Sequence, residues 1–237
     1  MSDFWTMVWK ETRDSIFSGQ LSEFFRPFVV IVIMGIIIPW QFGQMWISLS
    51  MATIVIICYI PFFFTTSYIG DAVAGERERH TLETLLASRI SDRAILWAKV
   101  AVSIAYAWGL TLIGLLVGLV VVNLTAGAGH WEFYYPLSIF FEMLVLSLLV
   151  CLLSASGGVM ISLRAATVRQ AQQTMFIGTL ALLIAIILIL RSVPAAAYAN
   201  LDVFQLVLFF IGGFTVLDLI LVVILSANFR RWRLILS

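Results

Sequence analysis

The stretch AILWAKVAVSIAYAWGLTLIGLLVGLVVV (residues 94–122) decides the fold, because Lys99 is its only charged residue. A membrane-spanning helix needs about 20 consecutive apolar residues, and this run is long enough to tilt or to protrude. Lipid offers the backbone no hydrogen-bond partners, so a continuous apolar run of this length predicts a helix. A strand of a membrane barrel would instead show short segments of alternating polarity.

The composition of the whole chain agrees with this prediction. Hydrophobic residues make up 62% of the 237 positions and charged residues 11%, against about 45–50% and about 25% in soluble domains. A soluble protein of this size could not bury so much apolar surface, so the chain is predicted to be an integral membrane protein. The net charge of +1 gives no reason to expect a nucleic acid partner. Two cysteines and two histidines, all far apart in sequence, predict no zinc-type metal site.

Six apolar runs are long enough to cross a bilayer, which predicts an all-α membrane protein with six transmembrane helices. The predicted spans are residues 27–43, 47–69, 94–122, 137–162, 174–191 and 204–228. With both termini in the cytoplasm, 13 of the 14 lysines and arginines lie on the inner side and only Arg191 lies outside. This asymmetry predicts cytoplasmic N- and C-termini.

Residues 1–22 precede the first span and have the pattern of an amphipathic helix. Apolar side chains recur at helical spacing on one side: Trp5, Val8, Trp9 and Ile16. Charged side chains fall on another side: Lys10, Arg13 and Asp14. This pattern predicts a helix lying in the membrane interface. A helix packed on its neighbours is the alternative.

The most highly charged stretch is GERERHTLETLLASRISDRAI (residues 75–95), which holds eight of the 27 charged residues in the chain. It falls between spans 2 and 3, and its apolar side chains share one helical face: Leu82, Leu85, Leu86 and Ile90. Ser91 is a candidate N-cap for the third span. A solvated connector that obeys the positive-inside rule would explain the arginines. The glutamates among them and the leucine face instead favour a docking surface for another protein.

This region resembles a known family. GERERHTLETLLASRISDRAILWAKV (residues 75–100) resembles the cytoplasmic signature of ABC-2 type transporter permeases, in which charged residues lead into Thr-Leu-Glu-x-Leu-Leu and then to a lysine, here Lys99. WKETRDSI (residues 9–16) is similar to the short charged segment ahead of the family's first span. Three positions depart from the usual Gly, Pro and Gly of the family: His80, Arg89 and Ala98.

The resemblance implies one transmembrane permease domain of an ATP-driven exporter over residues 1–237. It would form the substrate pathway with a second permease copy or a similar permease, and would couple to two separate ABC ATP-binding subunits. Residues 75–90 would form the coupling helix that contacts the ATPase. The implied contact residues are Glu76, Arg77, Glu78, Arg79, Thr81, Leu82, Glu83, Leu85 and Leu86. ATP and Mg²⁺ would bind to the partner and no cofactor to this chain, in agreement with the absence of a G-x-x-x-x-G-K-[ST] motif from the sequence. The implied location is the bilayer of the cell membrane, and no catalytic residue is expected.

Two acidic residues lie inside apolar runs, Glu142 in the fourth and Asp218 in the sixth. Acids at membrane depth are costly and are often functional, so both are candidate pathway residues. The alternatives are that Glu142 reaches the interface and that Asp218 bonds a hydroxyl group on a neighbouring helix.

Other functions fit the same composition, and the substrate is left open. A haem-exporter-like permease of cytochrome maturation also has six spans and small loops. A secondary transporter or channel would show an internal repeat or clustered midplane acids, and neither is convincing here. The SASGG stretch (residues 154–158) suggests an intramembrane serine protease, but both histidines lie in predicted loops, where they cannot serve as the base.

Overall fold

α-Helices make up almost all of the structure, a computed structural model that describes residues 2–17, 28–48, 51–70, 74–78, 90–126, 130–134, 137–165, 167–192 and 203–228. The helices of four residues or more are α1 Ser2–Phe17, α2 Phe28–Phe42, α3 Gln44–Ile47, α4 Met51–Gly70, α5 Asp92–Thr125, α6 Leu137–Ser162, α7 Val168–Ser192 and α8 Val203–Asn228. None of these described ranges contains a β-strand, so the all-α prediction is confirmed for them.

Three helices are long and apolar enough to cross a membrane: Arg93–Thr125, Leu137–Ser162 and Val207–Ala227, in α5, α6 and α8. Two shorter apolar helices, Phe28–Phe42 and Ile56–Gly70, lie where the first two spans are predicted. α7 covers the fifth predicted span but begins several residues earlier, at the polar sequence VRQAQQ. The chain is therefore a membrane-embedded helical protein, and the count of six spans stays a prediction.

The connection after α2 differs from the predicted boundary. Gly43 has a φ of 53°, a left-handed conformation that favours glycine, and its N–H closes α2 by donating to the carbonyl of Pro39. The chain then forms the short helix α3 before α4 begins at Met51. The second span was predicted to start at residue 47, which instead ends α3. The predicted end of the first span at residue 43 agrees with this turn, but nothing in the apolar sequence indicates the separate helix α3.

α6 is the central helix of the bundle and packs against α4, α5 and α8. Small and hydroxyl side chains line its contacts with two of these neighbours. Ser154 Oγ lies 3.0 Å from Thr66 Oγ on α4, and the Trp108 indole of α5 donates to Ser147 Oγ at 3.2 Å. Small residues let membrane helices approach closely, and hydroxyl groups bond between them. The interior of the bundle is thus held by short polar contacts as well as by apolar packing.

The end of the bundle opposite α1 is closed by a buried pair of aromatic residues. Trp46 Nε1 donates to Tyr134 Oη at 3.1 Å, and Tyr134 Oη donates to the Leu115 carbonyl of α5 at 2.7 Å. Burial raises the pKa of the Tyr134 phenol, so the hydroxyl stays protonated and can donate. The Phe140 ring of α6 stacks on Tyr134 with centroids 5.0 Å apart. These contacts join α3, α5 and α6 at this end.

We expect Tyr134→Phe to destabilise the protein by about 2 kcal/mol, because it removes a donor and leaves the buried Trp46 indole N–H without its acceptor. The measurement is the apparent Tm in detergent. Tyr59→Phe is the matched control, since Tyr59 is about half-exposed. Equal Tm values for the two variants would contradict the expected role of the Tyr134 hydroxyl.

α1 packs along the first turns of α5 and presents two opposite faces. Met7 is buried against Ile95 and Ala98 of α5, whereas Trp5 and Trp9 are each 65% exposed. Exposed tryptophans opposite a packed face suit the membrane interface, and this role stays a prediction. Arg13 was predicted to lie away from the tryptophans, but its guanidinium sits 5.3 Å from the Trp9 ring centroid. The i, i+4 spacing of the two side chains explains this stacking.

Candidate functional site

A cluster of four charged side chains joins three separate segments at the end of the bundle that carries α1. Lys99 Nζ of α5 lies 2.8 Å from Glu11 Oε1 of α1 and 3.1 Å from Glu76 Oε1 of the segment that follows α4. Lys10 Nζ of α1 lies 3.1 Å from the same Glu76 oxygen and 3.7 Å from Glu11 Oε1. We call Lys10, Glu11, Glu76 and Lys99 the charge network.

Helical geometry explains how two members of the network meet. Glu11 follows Met7 by one helical turn, so both side chains lie on the face of α1 that packs on α5. Lys99 follows Ile95 by one turn, on the face of α5 that α1 covers. The start of α5 is fixed by Ser91, whose Oγ accepts from the Ala94 N–H at 3.4 Å, which confirms the predicted N-cap. Glu11 and Lys99 therefore face each other across a helix–helix contact.

Burial makes this network energetically important. The side chains of Lys99 and Glu11 are 3% and 8% exposed and that of Glu76 is 15% exposed, whereas Lys10 is half-exposed. A buried charge is tolerated when it is paired and hydrogen-bonded, and here two carboxylates meet two ammonium groups. The formal charge of the four side chains is therefore balanced, and each contact between them joins groups of opposite sign.

The segment around Glu76 is also tied to the other helices at this end. The Ala74 N–H donates to Ser162 Oγ at the end of α6 at 2.9 Å, and that hydroxyl donates to the Gly70 carbonyl of α4 at 3.4 Å. Glu78 Oε2 accepts from the Val168 N–H at the start of α7 at 3.3 Å. A carboxylate at a helix N-terminus is favourable. Residues 74–78 thus contact α1, α4, α5, α6 and α7.

The predicted coupling residues are only partly covered by the described structure. Residues 74–78 are helical, and Glu76 and Glu78 make the contacts given above. The backbone of Arg77 is helical as well. Six others lie outside the described residues: Arg79, Thr81, Leu82, Glu83, Leu85 and Leu86. The structure therefore shows helix only at residues 74–78 of this region, and the coupling helix over residues 75–90 stays a prediction.

Sequence reasoning missed the partners of Lys99. Glu11 was only part of the WKETRDSI segment and had no role of its own, and Glu76 was assigned to the contact with the ATPase. The signal was the single lysine within a long apolar run, because a buried lysine requires an acidic partner. The identity of that partner depends on where α1 packs, and the local sequence does not determine this.

The two candidate pathway acids lie apart. α6 and α8 run parallel, since Val207 joins the same buried cluster as Ile139, and Leu225 joins that of Val159. This alignment places Asp218 roughly level with α6 residues near 152, about 15 Å further along the bundle than Glu142. The structure does not bring the two carboxylates together.

The surroundings of these two acids differ. Asp218 is 2% exposed, and neither of its carboxyl oxygens has a hydrogen-bond partner among the described residues. The hydroxyl partner of the alternative interpretation is therefore not found there. Glu142 is partly exposed, with one buried oxygen that likewise lacks a partner in the described ranges. Within those ranges, no group of three or more His, Cys, Asp or Glu side chains could hold a metal ion.

Comparison with known proteins gives one match. The family model described as ABC-2 type transporter matches residues 2–189, which includes α1, the charge network and the helices through most of α7. No curated protein matched the chain. No solved structure matched it either.

Proposed function

Because the chain belongs to the ABC-2 type transporter family, we propose that this membrane component is the permease subunit of an ATP-driven exporter. In this proposal two permease copies form the substrate pathway, and two separate ATP-binding subunits dock on the α1 end of the bundle. ATP and Mg²⁺ bind to those subunits, since the present sequence has no G-x-x-x-x-G-K-[ST] motif. The cargo crosses the cell membrane outward.

The charge network is the observation that best supports coupling to a partner. It ties the beginning of the predicted coupling helix to α1 and α5 through Glu76, while Glu78 bonds the first turn of α7. A force applied to the segment by a docked ATPase would therefore reach several helices at once. Conformational changes spread most directly through such contiguous packed and hydrogen-bonded elements.

The distribution of charge supports the orientation of this proposal. Placing both termini in the cytoplasm puts 13 of the 14 lysines and arginines on that side. The charge network and residues 75–90 then face the cytoplasm, where ATP-binding subunits are found. Asp218 and Glu142 are proposed as pathway residues, because acidic side chains at membrane depth are energetically costly and are often functional.

The decisive test is association with an ATP-binding subunit encoded by a neighbouring gene. The two proteins are co-expressed and purified through a tag on the permease, and ATP turnover is measured in vesicles. We expect a stable complex whose turnover depends on the permease. If no ATP-binding subunit copurifies, the exporter proposal is wrong and a transporter without an ATPase is favoured.

Charge reversal tests the coupling helix within that complex. We expect Arg79→Glu combined with Glu83→Arg to reduce ATPase association at least tenfold, because the reversed surface then places like charges against the partner. Glu132→Lys is the matched control, since it reverses an exposed acid at the opposite end of the bundle. Unchanged association and unchanged ATP turnover in the double variant would show that residues 75–90 do not dock the ATPase.

A further inference from the structure

We propose that Trp131 and Phe133 form an aromatic anchor that sits in the headgroup region of the bilayer at the end of the bundle opposite α1. The partner is the lipid surface itself. This inference goes beyond the proposed function, because it requires only that α5 and α6 cross the membrane. It holds whether or not an ATPase binds this chain.

The segment 130–134 displays its aromatic side chains in a fixed arrangement. Trp131 is 65% exposed and Phe133 53% exposed, whereas Tyr134 is buried against Trp46. The Asn123 side chain of α5 holds the segment through two bonds: its Oδ1 accepts from the Glu132 N–H at 2.7 Å, and its Nδ2 donates to the Glu132 carbonyl at 2.9 Å. Exposed aromatic side chains on a backbone held at Glu132 and Tyr134 are presented to something outside the chain.

Helix length places this segment at the depth of the headgroups. The charge network includes the half-exposed Lys10, so Lys99 marks the membrane boundary at the α1 end. Asn123 lies about 36 Å further along α5 at 1.5 Å per residue. The hydrocarbon core is about 30 Å thick, and headgroups extend the bilayer to about 40–45 Å. Asn123 and the bonded Glu132 therefore lie roughly 6 Å outside the core, where tryptophan is enriched.

The aromatic anchor is continuous with a surface that faces lipid. The Phe133 ring lies 5.6 Å from Phe140 of α6, and Phe140 lies 5.7 Å from the exposed Phe141. On α5, exposed apolar side chains follow one another at i, i+4 spacing and lead toward Asn123: Leu116, Val120 and Leu124. Acyl chains cover such faces in a membrane-embedded helix pair. The anchor extends this apolar surface into the layer where aromatic rings meet headgroups.

The depth of the two side chains can be measured by spin labelling. Single cysteines replace Trp131 or Phe133 in a Cys58→Ala, Cys151→Ala background, and the labelled chain is reconstituted in phosphatidylethanolamine and phosphatidylglycerol vesicles. Accessibilities to oxygen and to a nickel chelate give the depth, calibrated with doxyl-labelled phospholipids. We expect both labels at headgroup depth and a label at Phe141, the hydrocarbon reference, several-fold less accessible to nickel.

Two results would overturn the aromatic anchor. Nickel accessibility at both positions equal to that of a free aqueous label would place the segment in water. Low nickel accessibility together with spin–spin broadening would indicate that a second copy of the chain, and not lipid, covers the site. Dilution with unlabelled chain distinguishes this case, because it removes the broadening.

Asn123→Ala tests whether the segment is held as described. The substitution removes both bonds to Glu132 and a third from Asn123 Nδ2 to the Leu119 carbonyl. We expect faster label motion and several-fold higher nickel accessibility at both labelled positions. Thr125→Ala is the control, because the Thr125 hydroxyl bonds only within α5 among the bonds described. Equal label motion and equal nickel accessibility in the two variants would show that Asn123 does not position the aromatic anchor.

Discussion

Lys99→Met is expected to destabilise the protein by about 3 kcal/mol, because breaking a buried ion pair leaves charge uncompensated in the interior. Lys99 is 3% exposed, and its removal leaves the carboxylates of Glu11 and Glu76 with the half-exposed Lys10 as the remaining lysine of the network. For a chain of this length, that loss corresponds to an apparent Tm about 6–12 °C lower. The measurement is thermal unfolding in detergent, monitored by size-exclusion chromatography.

Two further variants separate charge from packing. Lys10→Met makes the same substitution at a half-exposed position, where an ion pair contributes about 1 kcal/mol or less. Lys99→Met combined with Glu11→Gln restores the balance of charge and keeps the 3.1 Å pair of Lys10 and Glu76, so it should recover at least half of the lost stability. The explanation by buried charge is wrong if Lys10→Met lowers the Tm as much as Lys99→Met does. It is also wrong if the double variant recovers none of the stability lost in Lys99→Met.

Gly158→Ala is expected to cost about 1–3 kcal/mol, because a methyl group at this position overlaps the Cγ2 atom of Ile69 on α4. Ile69 is fully buried and its Cγ2 atom is attached directly to Cβ, so this side chain cannot move aside easily, whereas the flexible end of Met175 at 3.3 Å can. α4 and α6 must separate to accommodate the methyl group. The thermal unfolding assay in detergent should show a lower Tm and a lower yield of monodisperse protein.

The neighbouring glycine provides the control for this prediction. A methyl group at Gly157 would meet nothing within 4 Å, so Gly157→Ala should be neutral or slightly stabilising through the higher helix propensity of alanine. Ile69→Leu removes the Cγ2 atom at constant volume, so in the Gly158→Ala background it should restore part of the Tm. A loss of stability equal in both glycine variants would contradict the steric explanation.

The long helices could be predicted from the apolar pattern, because bilayer thickness sets their length. Residues 137–162 coincide with α6, and the third and sixth predicted spans end within three residues of α5 and α8. The first span was predicted to end at residue 43, which agrees with the turn at Gly43. The short helix α3 and the later start of α4 were not predicted, because the sequence stays apolar across them. The position of α3 depends on Trp46 packing beneath α5, a contact between distant residues.

The candidate site was predictable in outline only. The charge density of residues 75–95 and the lysine within span 3 both indicated the correct end of the bundle. The pairing of Lys99 with Glu11 spans 88 residues of sequence, so it follows from the docking of α1 and from no local pattern. Arg13 is a different case, because its i, i+4 spacing from Trp9 was visible in the sequence and the stacking was nevertheless missed.

The length of α5 has a mechanical consequence. Its 34 residues form a rod of about 51 Å, with Lys99 near one end and the Asn123 side chain near the other. A rod of this length converts a tilt of about 10° at one end into a displacement of about 9 Å at the other. Small rotations of the first turns of α5 would therefore be amplified at the far surface of the membrane.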